Sequence, residues 1–163
     1  MSAKDGAPVE LQLGKTLDFL SSIWALDHAL HARSKAMAKK GGLTGPQRLA
    51  LRIIGAFPNI SSGELSRVLH VHPSTLTGVL QRLETQGLLA RSRDKADGRR
   101  ALFSLTRSGE KHATPVDFSV EGAVKKILKK ANAEDMAVAQ RIILSLADAL
   151  LDGTVAGAHE RAS

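Results

Sequence analysis

The sequence has no cysteine, no tyrosine and a single tryptophan, Trp24. Without thiols there can be no disulfide, no thiolate zinc site and no thiol redox switch. Aromatic residues make up 3% of the chain, a poor supply for the stacking platforms that read single strands or RNA. No apolar run approaches the ~18 residues of a membrane span. The opening residues Met1 to Glu10 are polar, contain Gly6 and Pro8, and lack the apolar centre of a signal peptide. A cytoplasmic protein with no membrane partner is therefore expected. Catalytic signatures are missing as well: there is no Gly-x-Ser-x-Gly elbow, Gly-x-Gly-x-x-Gly loop, phosphate-loop lysine motif or His-Glu-x-x-His. No enzyme and no cofactor are expected. His28 with His31, and His70 with His72, are close pairs without a third ligand in reach of the pattern, so no metal site is expected either.

What is present suits one globular domain with an added arm. Of 163 residues, 43% are apolar and 24% charged, enough for a core and unlike a disordered chain. The net charge of +7 is unevenly spread. Residues 88–107 hold Arg91, Arg93, Lys95, Arg99, Arg100 and Arg107 against Asp94 and Asp97, a local +4. Basic charge packed so densely is a footprint for a polyanion, and phosphate is the usual one.

Helical periodicity dominates the rest. From Leu11 to about Lys39, Leu13, Leu17, Leu20 and Trp24 form one stripe, and Phe19, Ile23, Leu26 and Leu30 a second, before Gly41-Gly42 stops the helix. Thr44 with Gln47, and Pro46 in the first turn, open a helix whose apolar set is Leu49, Ile53, Ile54 and Phe57. Ser61 with Glu64 is a second capping box, opening a short helix with Leu65, Val68 and Leu69 inside. A third helix runs from His72-Pro73 to Gln86, where Leu76, Val79, Leu80 and Leu83 keep one face buried. Two short strands follow, Leu88 to Arg93 and Arg100 to Leu105, joined by a turn-rich segment. Thr106 or Ser108 caps a further helix, interrupted by Pro115. Asn132 with Asp135 opens the last helix, with Met136, Ala139, Ile143, Leu146 and Leu150 as its seam.

The link between the short helix and the next is only about His70 to His72, as a helix-turn-helix requires. With Leu76, Val79, Leu80 and Leu83 turned inward, the opposite face presents Ser74, Thr75, Thr77, Gly78, Gln81 and Arg82. Gln and Arg can pair bidentately with adenine and guanine edges, Thr can touch an edge or a thymine methyl, and glycine permits close approach. The DNA-binding candidates are these six, together with Ser61 and Ser62 at the start of the short helix and Arg93, Lys95, Asp97, Arg99 and Arg100 in the basic hairpin.

The stretch Leu43 to Lys111 resembles the multiple antibiotic resistance regulator (MarR) family of winged-helix transcription factors. The matching segments are "LTGPQRLAL" and "ISSGELSRVLHVHPSTLTGVLQRLETQGLLARSRDKADGRRALFSLTRSGEK", of which the wing and the Leu-Thr-x-x-Gly after it are the most specific. The resemblance implies a mainly α fold with a small β-hairpin: a winged helix-turn-helix flanked by long dimerisation helices. It places Thr77 and its neighbours in the major groove, and matches Asp97 and Arg99 to a wing pair in which the acid orients the arginine toward the minor groove or its phosphates. Arg100 stands where a small residue is common, which leaves open which arginine enters the groove. His72 stands where serine is more typical.

The expected organisation is an N-terminal dimerisation helix over 11–42, a DNA-binding winged helix over 43–107, C-terminal dimerisation helices over 108–152, and flexible ends at 1–10 and 153–163. A winged helix of about 65 residues cannot cover the apolar stripes of the first and last helices, so a homodimer is expected, with recognition helices one DNA turn apart on a pseudo-palindromic operator. The resemblance further implies release by a small aromatic acid, for which Trp24, His28, His31, Arg52, Phe57 and His112 are the candidate contacts. The expected function is a repressor of transcription bound to double-stranded DNA. Its rival is an architectural or protein-docking winged helix with non-specific DNA binding.

Overall fold

The computed structural model describes residues 13–159, with side chains as far as 151. Of the ends expected to be flexible, 1–10 and 160–163 lie outside the described residues. The chain divides into two compact units, residues 1–120 and 121–163.

The first unit opens with α1 (Lys15–Gly41), which ends at Gly42 in the left-handed conformation (φ 73°) that favours glycine. Only the C-terminal part of α1 packs within the unit. Met37 is buried, the Ser34 hydroxyl accepts the Gly45 N–H at 2.8 Å, and the Lys40 ammonium lies 4.7 Å from the centre of the Phe118 ring. The next helix, α2 (Gly45–Ala56), starts at the expected Thr44–Gln47 capping box. Its buried face is Gln47, Ala50, Leu51 and Ile54, which differs from the expected apolar set. Leu49 and Phe57 are exposed and Ile53 is only partly buried. The core-facing stripe is rotated by part of a turn: Ala50, Leu51 and Ile54 join the same core as the leucines of α4, and Leu49, one position off that face, is left outside it.

After a turn at Asn59 come β1 (Ile60–Ser61), α3 (Ser62–Leu69), α4 (Pro73–Thr85), β2 (Leu89–Arg93), β3 (Ala101–Leu105) and α5 (Arg107–His112). The expected hairpin is one side of a three-stranded antiparallel sheet in the order β1-β3-β2. Strand β1 has two residues, too few for any alternation in sequence, and pairs Ile60 with Phe103 and Ser61 with Leu102. One core joins these elements: Leu51 and Ile54 of α2, Leu65 of α3, Leu76, Leu80 and Leu83 of α4, and Leu89 and Phe103 of the sheet. Val68, expected inside, is exposed, because an eight-residue helix offers one narrow buried face and Leu65 and Leu69 fill it.

Arg48 and Arg52 of α2 serve the end of α5. Arg48 Nη1 donates to the His112 carbonyl at 2.8 Å and Nη2 to that of Thr114, and Arg52 Nη1 donates to Ala113 at 2.7 Å. The last carbonyls of a helix have no partner within it, and two guanidinium groups supply them here. Pro115 falls in the irregular segment after α5, as its missing N–H dictates.

The second unit contains α6 (Val120–Leu128, beginning at its boundary) and α7 (Ala133–His159). The Asn132 side chain accepts the Asp135 N–H at 2.8 Å, the expected start of α7. Helix α7 continues past 152 to His159. On its described part Val138, Ile142, Ile143 and Leu150 are exposed. No described helix is long and apolar enough to cross a membrane.

Candidate nucleic-acid interface

The segment from Ser61 to Leu105 is built around two helix starts. Ser61 is the last residue of β1 and also the N-cap of α3: its hydroxyl accepts the Glu64 N–H at 3.3 Å, and the Glu64 carboxylate accepts the Ser61 N–H at 2.9 Å. Ser61 is 5% exposed, so its hydroxyl is committed to this cap, whereas Ser62 is exposed. His70, in the left-handed region at φ 50°, ends α3. The three-residue turn then delivers His72 as the N-cap of α4. Its Nδ1 accepts the Ser74 N–H at 3.3 Å and lies 2.8 Å from the Ser74 hydroxyl, so an imidazole fills the place of the usual serine cap.

On α4, Leu76, Leu80 and Leu83 are buried, and Ser74, Thr75, Thr77, Gln81 and Arg82 are exposed. The Thr77 hydroxyl donates to the Pro73 carbonyl at 2.9 Å, which leaves its methyl group and a lone pair for an outside partner. A Cβ added at Gly78 would meet nothing within 4 Å. The core does not require that glycine.

Strands β2 and β3 pair from Leu89–Leu105 to Arg93–Ala101. The tip between them is tied by its own acids: Asp94 Oδ1 accepts the Ala96 N–H at 2.9 Å and Asp97 Oδ1 the Arg99 N–H at 3.1 Å. These are Asx-type turns. Asp97 thus holds the backbone of Arg99, and the Arg99 guanidinium has no hydrogen-bond or ion-pair partner among the described residues. The Arg100 side chain is turned back. Its Nη2 donates to Ser61 Oγ at 3.3 Å and lies 3.4 Å from Glu64 Oε2. The hydrogen bonds from the Ser61 hydroxyl and backbone hold the Glu64 carboxyl below its ordinary pKa, with help from Arg100 and Arg67.

Two adjoining concavities follow the wing. One of about 510 Å³ is lined by Arg91, Arg93, Arg99 and Arg100 together with Ser92, Gly98 and Ala101. The other, about 390 Å³, shares Arg91, Arg99 and Arg100 and adds Ser62, Gly63, Glu64 and Arg67 at the start of α3. Together they form a basic trough between α3 and the wing. Arg67 and Arg91 were missing from the expected set. Arg91 was findable, since it lies two residues from Arg93 and so on the same strand face. Arg67 gave no signal in sequence, because only the fold brings α3 beside the hairpin. Lys95 stands at the exposed tip.

None of the candidate effector contacts lines this trough. Trp24 is 73% exposed on α1. His28 and His31 are exposed beside it, His31 being 3.2 Å from Asp27. Phe57 is exposed, Arg52 donates to Ala113, and His112 Nδ1 lies 3.0 Å from the Ser108 carbonyl.

Known proteins match this arrangement. A family model described as "MarR family" matches residues 41–100. The organic hydroperoxide resistance transcriptional regulator of Bacillus subtilis is 28% identical over 86% of this chain and 92% of its own. The homoprotocatechuate degradative operon repressor of Escherichia coli is 32% identical over 66% of this chain and 76% of its own. Among solved structures, the PcaV transcriptional regulator of Streptomyces coelicolor, in complex with its natural ligand, superposes with a TM-score of 0.64 at 27% identity, covering 78% of this chain and 90% of that one. The capped α3–turn–α4 unit, its basic wing and these relatives agree: the chain belongs to the MarR family of DNA-binding transcriptional regulators.

Proposed function

We propose that the protein is a homodimeric repressor, not an enzyme, which acts in the cytoplasm by occupying a pseudo-palindromic operator. The observation that carries this reading is the exposed polar face of α4 beside a trough lined by Arg67, Arg91, Arg99 and Arg100. In this reading Ser74, Thr75, Thr77, Gly78, Gln81 and Arg82 enter the major groove, Ser62 meets the backbone, and Arg93, Lys95 and Arg99, on a tip shaped by Asp97, grip alongside. Residues 43–107 read DNA, while 11–42 and 108–152 dimerise. Leu17, Leu20 and Trp24 are exposed on α1, and Ile142, Ile143 and Leu150 on α7. Two apolar helix faces left in water are what a second copy would cover.

A competition binding assay with the promoter beside its own gene tests the reading. The operator is expected to win over random duplex by ~10³-fold or more. Weak, sequence-indifferent binding that vanishes with salt would instead identify an architectural protein. Light scattering in the same buffer should report a dimer, and a stable 17.3 kDa species at micromolar concentration would count against the model. Arg99→Ala is expected to lower the salt slope by about one if the side chain meets one phosphate. If it enters the minor groove, the loss will depend on A·T content at the operator flanks.

Release by a small aromatic acid belongs to the same reading. It is supported by one relative named for a homoprotocatechuate degradative operon and by another solved with its natural ligand. Trp24, His28, His31, Arg52, Phe57 and His112 remain its candidate contacts, with Nη1 of Arg52 already donating to the Ala113 carbonyl.

A further inference from the structure

Arg100 lines the basic trough, yet its guanidinium is aimed at the protein. Besides Ser61 and Glu64 it faces Asp94, with Nη1 3.9 Å from Oδ2. Asp94 begins the wing tip, and its N–H donates to the Arg100 carbonyl at 3.0 Å. Among the described residues, every hydrogen bond or ion pair between tip residues 94–100 and α3 or its cap runs through this one side chain.

We propose that Arg100 is a positioning residue: with Glu64 it forms a latch that sets the angle of the wing against α3 and leaves Arg99 as the wing's DNA-contacting arginine. The inference rests on the DNA-gripping function proposed above. Strand β1 ties β3 only at Leu102 and Phe103, so beyond Ala101 the tip is joined to the sheet by the β2–β3 ladder alone and can pivot there; a contact from the tip to a neighbouring helix removes that freedom. An exposed ion pair is ordinarily weak because two long side chains must be frozen to make it. Here one partner is already fixed, since the capping box holds the Glu64 carboxylate through the Ser61 N–H. The gain is in orientation of the wing more than in stability of the fold.

Glu64→Gln separates this from simple electrostatics by sign. Glutamine can still serve a capping box, so the helix start survives, and an unchanged melting temperature checks that it does. If Glu64 merely adds a negative charge near phosphates, its neutralisation tightens operator binding. If it holds the latch, the same change weakens binding by about 5-fold, and Arg100→Ala added to Glu64→Gln causes little further loss. Arg100→Ala alone should leave the salt slope unchanged, whereas a phosphate ligand lowers it by about one. Tighter or unchanged binding by Glu64→Gln, or a reduced slope for Arg100→Ala, overturns the latch.

Hydrogen exchange in the free protein supplies a readout without DNA. The bonded amides of Asp94 and Arg100 should exchange faster in Glu64→Gln, and equal rates overturn the latch. A wild-type protein that does not prefer its own promoter to random duplex overturns the regulator reading alone, and the exchange comparison still judges the latch.

Discussion

Gly78→Glu is expected to abolish operator binding, by ~100-fold or more, in a protein that folds as well as the wild type. The position is in the middle of α4, and a Cβ there meets no atom within 4 Å. Glycine inside a helix is destabilising by about 0.5–1 kcal/mol relative to alanine, so nothing in the fold favours it. The same site lies opposite Leu76 and Leu80, at the centre of the polar face, and in the proposed reading a carboxylate there would meet base edges and flanking phosphates. Like charges brought together at an interface cost several kcal/mol. The companion Gly78→Ala sharpens the test. It should raise the melting temperature by about 1–4 °C while weakening operator binding. Thermal melts followed by circular dichroism, beside fluorescence anisotropy on a labelled operator, read both effects. A Glu variant with full affinity would remove α4 from the interface.

Gly109→Ala, chemically the same change, should act in the opposite direction on stability. A Cβ at Gly109 would collide with the Leu88 carbonyl oxygen and lie 3.4 Å from Leu105 Cβ. Neither side can move cheaply. The Leu88 carbonyl accepts the Thr106 N–H at 3.1 Å, the Leu88 N–H donates to Leu83, and the Thr106 hydroxyl donates to the Gly87 carbonyl at 2.7 Å. Overpacking a core typically costs 1–3 kcal/mol, and a clash with fixed backbone belongs at the upper end. A loss of about 3 kcal/mol corresponds to a fall of roughly 6–12 °C in melting temperature. Urea denaturation should show a lower midpoint at constant slope. A Gly109→Ala protein as stable as wild type would mean that α5 does not rest on the Leu88 backbone, just before β2.

This pair of glycines shows where sequence reasoning reaches and where it stops. Both are predicted on helices, and the Leu-Thr-x-x-Gly pattern marks Gly109 as part of a motif. That one glycine faces open solvent and the other a carbonyl depends on which element lies alongside, and this is a long-range fact. The same division runs through the interface. The capping boxes at Thr44 and Ser61, the αL stop at Gly42, the short turn before Pro73 and the hairpin ladder all lie within a few residues of their determinants. Local chemistry decides them, and the sequence predicts them correctly. Strand β1 escapes because two residues carry no period. Leu49, Val68 and Phe57 are assigned inward on hydrophobicity, yet they are exposed, because periodicity defines an apolar stripe more broadly than the packing partner covers it.

By itself, then, the sequence determined that this chain carries a capped helix-turn-helix with a basic wing, since caps, turns and apolar periods are properties of neighbours along the chain. Tertiary structure alone decided how the charges of that wing are used. Folding places Arg67 of α3 beside Arg91 of β2 and turns Arg100 onto Glu64, while Arg99 is left without a protein partner among the described residues. It also committed Arg48 and Arg52 to the end of α5. The reason is physical: a guanidinium at the end of a long side chain takes whichever acceptor the fold brings within reach, and those acceptors come from residues far away in sequence.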